Sequence, residues 1–330
     1  MSDPVIDHES LTCRVALDVS WMSVEGFLRQ VGLTLGWTPP LARETSLRRI
    51  LEARIGGSRS PLYGDPAACV VGLEVGGGAE PLRKTLAVPR SASGPDYRAL
   101  YLGARGRFGP LEHVTLRVFP APKNKADLGF LFPSPIAGVS FLARLMHRGI
   151  VPAFALLENA DTGKAVVRLR FEGGKALTPA RASAAQRLAD AVDARRIDPA
   201  LVTDFLRTLI PDDGRAPSHD RWWGSPPEAG VADDSGESAS TSAALRWAPG
   251  VLRVDARWDD FPALLSVLRP HHDVDYRVVD IRHHGAALFV DARGMSMTLR
   301  ELVLSSLRDA GGLVPLEGID GTPMGARVFG

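Results

Sequence analysis

The stretch SASGPDYRALYLGARGRFGPLEHVTLRVFPAP, Ser91 to Pro122, joins a turn, glycines spaced by three and a strand that ends in Pro-x-Pro. Gly103, Gly106 and Gly109 let the backbone turn sharply and come close to a flat ligand, where a Cβ would collide. Backbone amides in such a loop can meet the phosphates or carbonyls of that ligand. Three glycines alone are more often a plain loop feeding a strand.

The ordered run Ser93, Gly94, Pro95, Asp96, Leu100, Gly103, Gly106, Gly109, Leu116 and Arg117 overturns that plain reading. It resembles the flavin-binding core of the vanillyl-alcohol oxidase family, with its PCMH-type FAD-binding domain. That family includes FAD-linked glycolate and lactate dehydrogenases and alkylglycerone-phosphate synthases, and its pattern reads roughly SGPDLxxLxxGSEGTLGVITExTLRxxPxP. Upstream, Leu11 to Val19 alternates apolar residues as a strand does. Ser23 is then placed to cap a helix whose Val24, Phe27, Leu28 and Val31 share one face, and Gly32 ends it. Val19, Ser20, Leu28 and the run Gly32-Leu33-Thr34-Leu35-Gly36-Trp37 with Pro39 are similar to the family's VxxxxGVSWxxLExxLxxxGLTLGWxP.

The resemblance implies a set of cofactor-binding residues. In ETSLRRILEARIGGSRSPLYGD, Thr45 and Ser46 match the family's Ser-Thr, Arg54 its Arg, Gly57 its Gly, and Tyr63 with Gly64 its Tyr-Gly. Gly106, Gly109 and Leu111 complete the set in the glycine loop and the strand after it. Arg48 and Arg49 stand where the family has a Gly-Gly that lets the backbone run under the flavin, and two long cationic side chains crowd that spot. Without the family, Thr45 to Arg54 reads as a helix with a hydroxyl cap and arginines toward solvent. Arg105, Arg107 and Pro110 replace the family's glutamate, threonine and valine, and proline removes a backbone donor. The resemblance also implies a pyrophosphate-binding subdomain ahead of the first strand, and the chain is expected to lack it.

Downstream, KNKAD reads as a polar linker before a strand at Leu128 to Phe132. Ser134 and Pro135 then start a helix whose Val139, Leu142, Leu145 and Met146 form the buried stripe, closed by Gly149. Another strand follows at Val151 to Leu157. Asp212 to Ser242 clusters Pro, Gly, Ser and acidic residues, the composition of a mobile linker. Val251 to Ala256, Arg277 to Ile281 and Ala286 to Ala292 read as strands, with helices from Asp259 to Leu268 and after Thr298.

Composition narrows the function classes. The 330 residues are 45% hydrophobic and 23% charged, ordinary for a globular protein of two domains. The 39 basic and 38 acidic residues are mixed along the chain, leaving no footprint for nucleic acid or an anionic membrane. Two cysteines, Cys13 and Cys69, are too few for a disulfide framework and fit a reducing compartment. The acidic start MSDPVIDHES is no signal peptide, no segment is long enough to span a bilayer, and the reading is cytoplasmic. His271-His272 and His283-His284 are adjacent pairs whose members point to opposite faces of a strand, poor geometry for one metal. Gly76-Gly77-Gly78 reads as a turn between strands. The family's closing histidines have no counterpart after Gly311-Gly312, where Glu317 is the nearest acid or base.

The expected fold is α+β. Residues 1–122 form the FAD-binding PCMH-type domain without its N-terminal subdomain. A cap domain with an antiparallel sheet and covering helices follows, its halves 123–211 and 245–330 split by a linker at 212–244. The expected function is an FAD-binding oxidoreductase-like protein whose FAD binding is weak or depends on a partner chain. The alternative is a cofactor-free pseudoenzyme acting as a structural or regulatory subunit. A protein partner or homo-oligomer is expected, docking on apolar surface near Leu35, Trp37 and Tyr63.

Overall fold

The computed structural model describes residues 4–38, 46–52, 59–64, 66–76, 83–85, 87–88, 96–102, 107–159, 163–209, 251–270, 276–279, 284–291, 303, 305–306 and 309. Two antiparallel sheets organise them. The first has the order β1-β2-β6-β4-β5, from Val5–Asp7, Thr12–Ala16, Leu111–Arg117, Val70–Val75 and Arg83–Lys84. The central strand β6 is thus the one predicted after the glycine loop. It pairs with β2 from Thr12↔Arg117 to Ala16↔His113 and with β4 on its other side.

Alternation along these strands sets the core. Cys13, Val15, Leu73, Val114 and Leu116 turn to one face, where helix α1 (Trp21–Gln30) lays Trp21, Val24 and Leu28 against them. The short helix α2 (Leu47–Glu52) adds Leu47, Ile50 and Leu51. Helix α1 begins three residues before the position expected from Ser23. Ser20 is its cap, accepting from the Ser23 N–H, while the two hydroxyls bond each other at 2.8 Å. Gly32 ends it at φ +73°, as expected, but Val31 lies outside the buried face and is 45% exposed. The strand pair β3 (Leu33–Thr34) and β7 (Phe119–Pro120) ties the end of α1 to the end of β6.

The second sheet has seven strands, in the order β11-β8-β10-β9-β13-β14-β12. Here β8 is Asn124–Phe132, β9 Phe154–Asn159, β10 Ala165–Gly173, β11 Arg195–Arg196, β12 Val251–Arg257, β13 Tyr276–Val279 and β14 Gly285–Asp291. Two parts of the chain far apart in sequence therefore share one sheet, joined where β13 pairs with β9 at Arg277↔Glu158 and Val278↔Leu157. Residues 124–127, expected as linker, are strand: β8 pairs with β10 over its whole length, from Phe132↔Ala165 to Asn124↔Gly173. Helix α5 (Pro135–His147) packs on one face, with Ser134 as cap and Val139, Leu142, Leu145 and Met146 buried as predicted. Gly138 lets it approach closely, since a Cβ there would stand 2.7 Å from the Leu157 side chain. Helices α6 (Leu177–Asp190) and α8 (Phe261–Leu268) extend that layer. On the opposite face α7 (Pro199–Leu209) crosses β8, where Val202 fills the space above Gly129. Among the described residues no helix is long and apolar enough to cross a membrane.

Two expectations fail in the first unit. Leu35 and Trp37 are fully buried rather than exposed, so they offer no docking surface. Trp37 instead packs 6.3 Å from Trp21 between α1 and the sheet.

Candidate cofactor site

Of the predicted cofactor residues, Ser46, Tyr63, Gly64, Gly109 and Leu111 are described, while Thr45, Arg54, Gly57 and Gly106 lie outside the described residues. So do the linker at 212–242, His271, His272, His283 and the closing segment with Gly311, Gly312 and Glu317. Ser46 sits at the start of α2 and forms an antiparallel bridge with Ser20. Its hydroxyl accepts from the Arg49 N–H at 3.3 Å, a capping contact. The next two amides are also taken: Leu47 N–H donates to the Val19 carbonyl at 2.9 Å and Arg48 N–H to the Leu17 carbonyl at 2.8 Å. Free amides at a helix start are what hold an anion. Here the protein itself satisfies them.

Arg48 is the centre of the site. Its Nε and Nη2 donate to Asp18 Oδ1 at 3.0 and 2.9 Å, and its Nη1 donates to the Leu111 carbonyl. Glu52, one helical turn on, lies 4.0 Å from Arg48 Nη1. Burial pushes its carboxyl above the usual range, against the pull of Arg48 and of a hydrogen bond from the Leu111 N–H. Both backbone groups of Leu111 are thus engaged, and its side chain is buried. Of the two arginines singled out in the sequence, Arg48 makes these contacts and Arg49 is exposed.

Gly109 adopts φ +111°, a conformation suited to glycine, but the direction its Cβ would take is already filled by Val75 at 3.4 Å. The Pro110 carbonyl accepts from Gly76 N–H at 3.1 Å. Gly64, at φ +86°, follows helix α3 (Ser60–Tyr63). Tyr63 stacks edge-on against Phe119 at 5.1 Å and lies across Gly36, where a Cβ would stand 2.6 Å from its ring. Its hydroxyl donates to Glu172 Oε2 at 2.8 Å. Glu172, at the end of β10, also receives Arg59, and both charged side chains are within 2% of complete burial. Burial and the neighbouring carboxylate push the Tyr63 hydroxyl well above its ordinary pKa. Burial alone would lower Arg59, yet Glu172 holds it above its ordinary value.

Among the described members of the predicted set, then, the Ser46 and Tyr63 hydroxyls and both backbone groups of Leu111 bond to protein neighbours. Asp18, Glu52, Arg59 and Glu172 escaped the sequence reading. Only Arg48, as a departure from Gly-Gly, carried a local signal.

This fold is shared with proteins of known structure. Of solved structures, alkyldihydroxyacetonephosphate synthase superposes with TM-score 0.69 at 14% identity over 94% of this chain and 60% of that one. The 4-ethylphenol oxidase from Gulosibacter chungangensis gives 0.64 at 11% over 93% and 67%. By sequence the homologues are alkyldihydroxyacetonephosphate synthase and the FAD-linked oxidoreductase YgcU, the relationship that the Ser93 to Arg117 run implied. The Caenorhabditis elegans synthase is 32% identical over 156 residues, 47% of this chain and 26% of that protein. YgcU of Escherichia coli O157:H7 is 27% identical over 216 residues, 62% and 45% respectively. The chain therefore spans less than half the length of these curated relatives. No family model matches the sequence.

Proposed function

We propose that the chain is an FAD-linked oxidoreductase-like protein whose own affinity for FAD is weak, or is completed by a second polypeptide. Its relationship to FAD-linked YgcU supports the flavin class. The weakness rests on one observation: the Arg48 guanidinium bridges Asp18 and the Leu111 carbonyl, at the backbone that the resemblance assigns to the cofactor. A flavin entering there has to displace a charged side chain from an ion pair and from a hydrogen bond to backbone. Bound FAD would supply redox chemistry, and a small hydroxy acid or an alkyl-glycerone phosphate type compound is the substrate class that the family resemblance implies. The reading is of a cytoplasmic protein.

The second reading is a cofactor-free pseudoenzyme serving as a structural or regulatory subunit. It is favoured by the ion pairs on the face of β10 that looks away from α5: Arg59 with Glu172, Arg168 with Glu158 and Arg170 with Asp127. Titration with FAD, followed by quenching of flavin fluorescence, separates the two. The first reading expects weak, saturable binding that Arg48→Ala tightens about tenfold or more, the equivalent of a lost charge-assisted hydrogen bond. The second expects no saturable binding by either protein.

A further inference from the structure

We infer that Arg59, Tyr63 and Glu172 form a latch that couples the two sheets into one cooperative unit. The chain crosses between the sheets in the few residues that separate β7 from β8, a connection too short to bury much surface itself. The latch closes beside that crossing from residues distant in sequence, since Arg59 and Glu172 are separated by 113 positions. Alternation along β10 explains why Glu172 is available: Phe171 faces the α5 and α6 core, so its neighbour faces the first unit. Arg59 reaches it from the turn before α3, its guanidinium 4.7 Å from the centre of the Tyr63 ring. Tyr63 is held on its other side by Phe119 in β7, at the mouth of the crossing. The carboxylate of Glu172 thus receives one donor from Arg59 and one from Tyr63, both from the first unit.

The energetics give the latch a signature. Arg59 Nε is buried with no hydrogen-bond partner among the described residues, and Glu172 is the carboxylate that pairs with the buried guanidinium. Removing one partner of a buried pair strands the other charge, whereas replacing both with apolar groups of similar volume is far less costly. Strain from a stranded charge at the junction is relieved by separating the two units.

The test follows heat unfolding and tryptic cleavage after the exposed Lys123 in the full chain. Wild type is expected to unfold in one transition. Arg59→Met and Glu172→Met each split it into two, separated by roughly 10 °C, and speed cleavage after Lys123 about tenfold or more, the scale of one lost charge-assisted bond. The double variant Arg59→Met/Glu172→Met returns toward one transition and slow cleavage, and its folding where a single variant fails to fold supports the latch equally. Tyr63→Phe, which keeps the ring and removes one donor, gives a smaller shift in the same direction. The inference is overturned if the double variant is as impaired as the two singles added together. It is also overturned if Tyr63→Phe and both single variants match wild type in both measurements.

Discussion

Arg48 and Glu74 show how single charged residues fasten the elements of the first sheet to one another. Arg48 fastens α2 to the start of β6, where the resemblance assigns cofactor contacts. Glu74, buried on β4, gathers Arg14 in a two-pronged pair at 2.8 and 2.7 Å, with Lys84 at 3.0 Å and His113 at 3.6 Å. Arg14 first, and then Lys84, hold its carboxyl down to about 2 from an ordinary 4.5, against the opposing effect of burial. A carboxyl depressed by folding stabilises the fold fully above its unfolded pKa and loses that contribution as pH falls through the folded one. Glu74→Gln is therefore expected to cost about 1–3 kcal/mol near neutral pH. The gap between wild type and variant in melting temperature should narrow from about pH 5 toward about pH 2, and a gap that widens on acidification would contradict the assignment. Trp37 makes the complementary case. Because it is fully buried, Trp37→Ala should cost about 3–5 kcal/mol in urea unfolding, and a variant of wild-type stability would put the indole outside the core.

At the scale of elements, what could be read from sequence was whatever local pattern decides. Helix α5 was legible in full, because Ser134, Pro135, the apolar stripe and Gly149 all lie within one segment. Helix α1 was legible but misplaced at its start, since Ser20 and Ser23 both have cap chemistry and share one hydrogen-bonded cap. Asn124 to Asp127 was misread because its composition is polar. Pairing with β10 makes it strand, a tertiary effect that composition does not carry. Ser46 and Tyr63 were singled out by motif. Glu172 was not, because a buried partner 113 positions away leaves no periodic trace. The joining of β9 to β13 was expected only as two halves of one cap sheet, without its register, and it has a consequence. A protease site engineered within 212–242 should yield two fragments that still elute together in gel filtration, because β13 and β14 remain paired into the sheet of β8 to β10. Separate elution under native conditions would contradict the pairing.

At the scale of the whole molecule, the described residues form two large antiparallel sheets, each with its own apolar core, and the small β3–β7 pair, the two large units meeting at Tyr63, Arg59 and Glu172. Its overall fold follows alkyldihydroxyacetonephosphate synthase and 4-ethylphenol oxidase. Of the positions that the resemblance assigns to the cofactor, Ser46, Tyr63 and Leu111 bond to protein partners. Fold and site can diverge in this way because the fold rests on dispersed apolar packing, while a cofactor site depends on a few polar groups left open at defined places. The most direct measurement is the absorbance spectrum of the purified full chain, followed by equilibrium dialysis against FAD. The expected result is a protein with little or no flavin band near 450 nm, wavelength being about that of any oxidised flavin, and FAD uptake far below one per chain at micromolar ligand that rises in Arg48→Ala. A yellow protein carrying close to one FAD per chain, unchanged by Arg48→Ala, would contradict it.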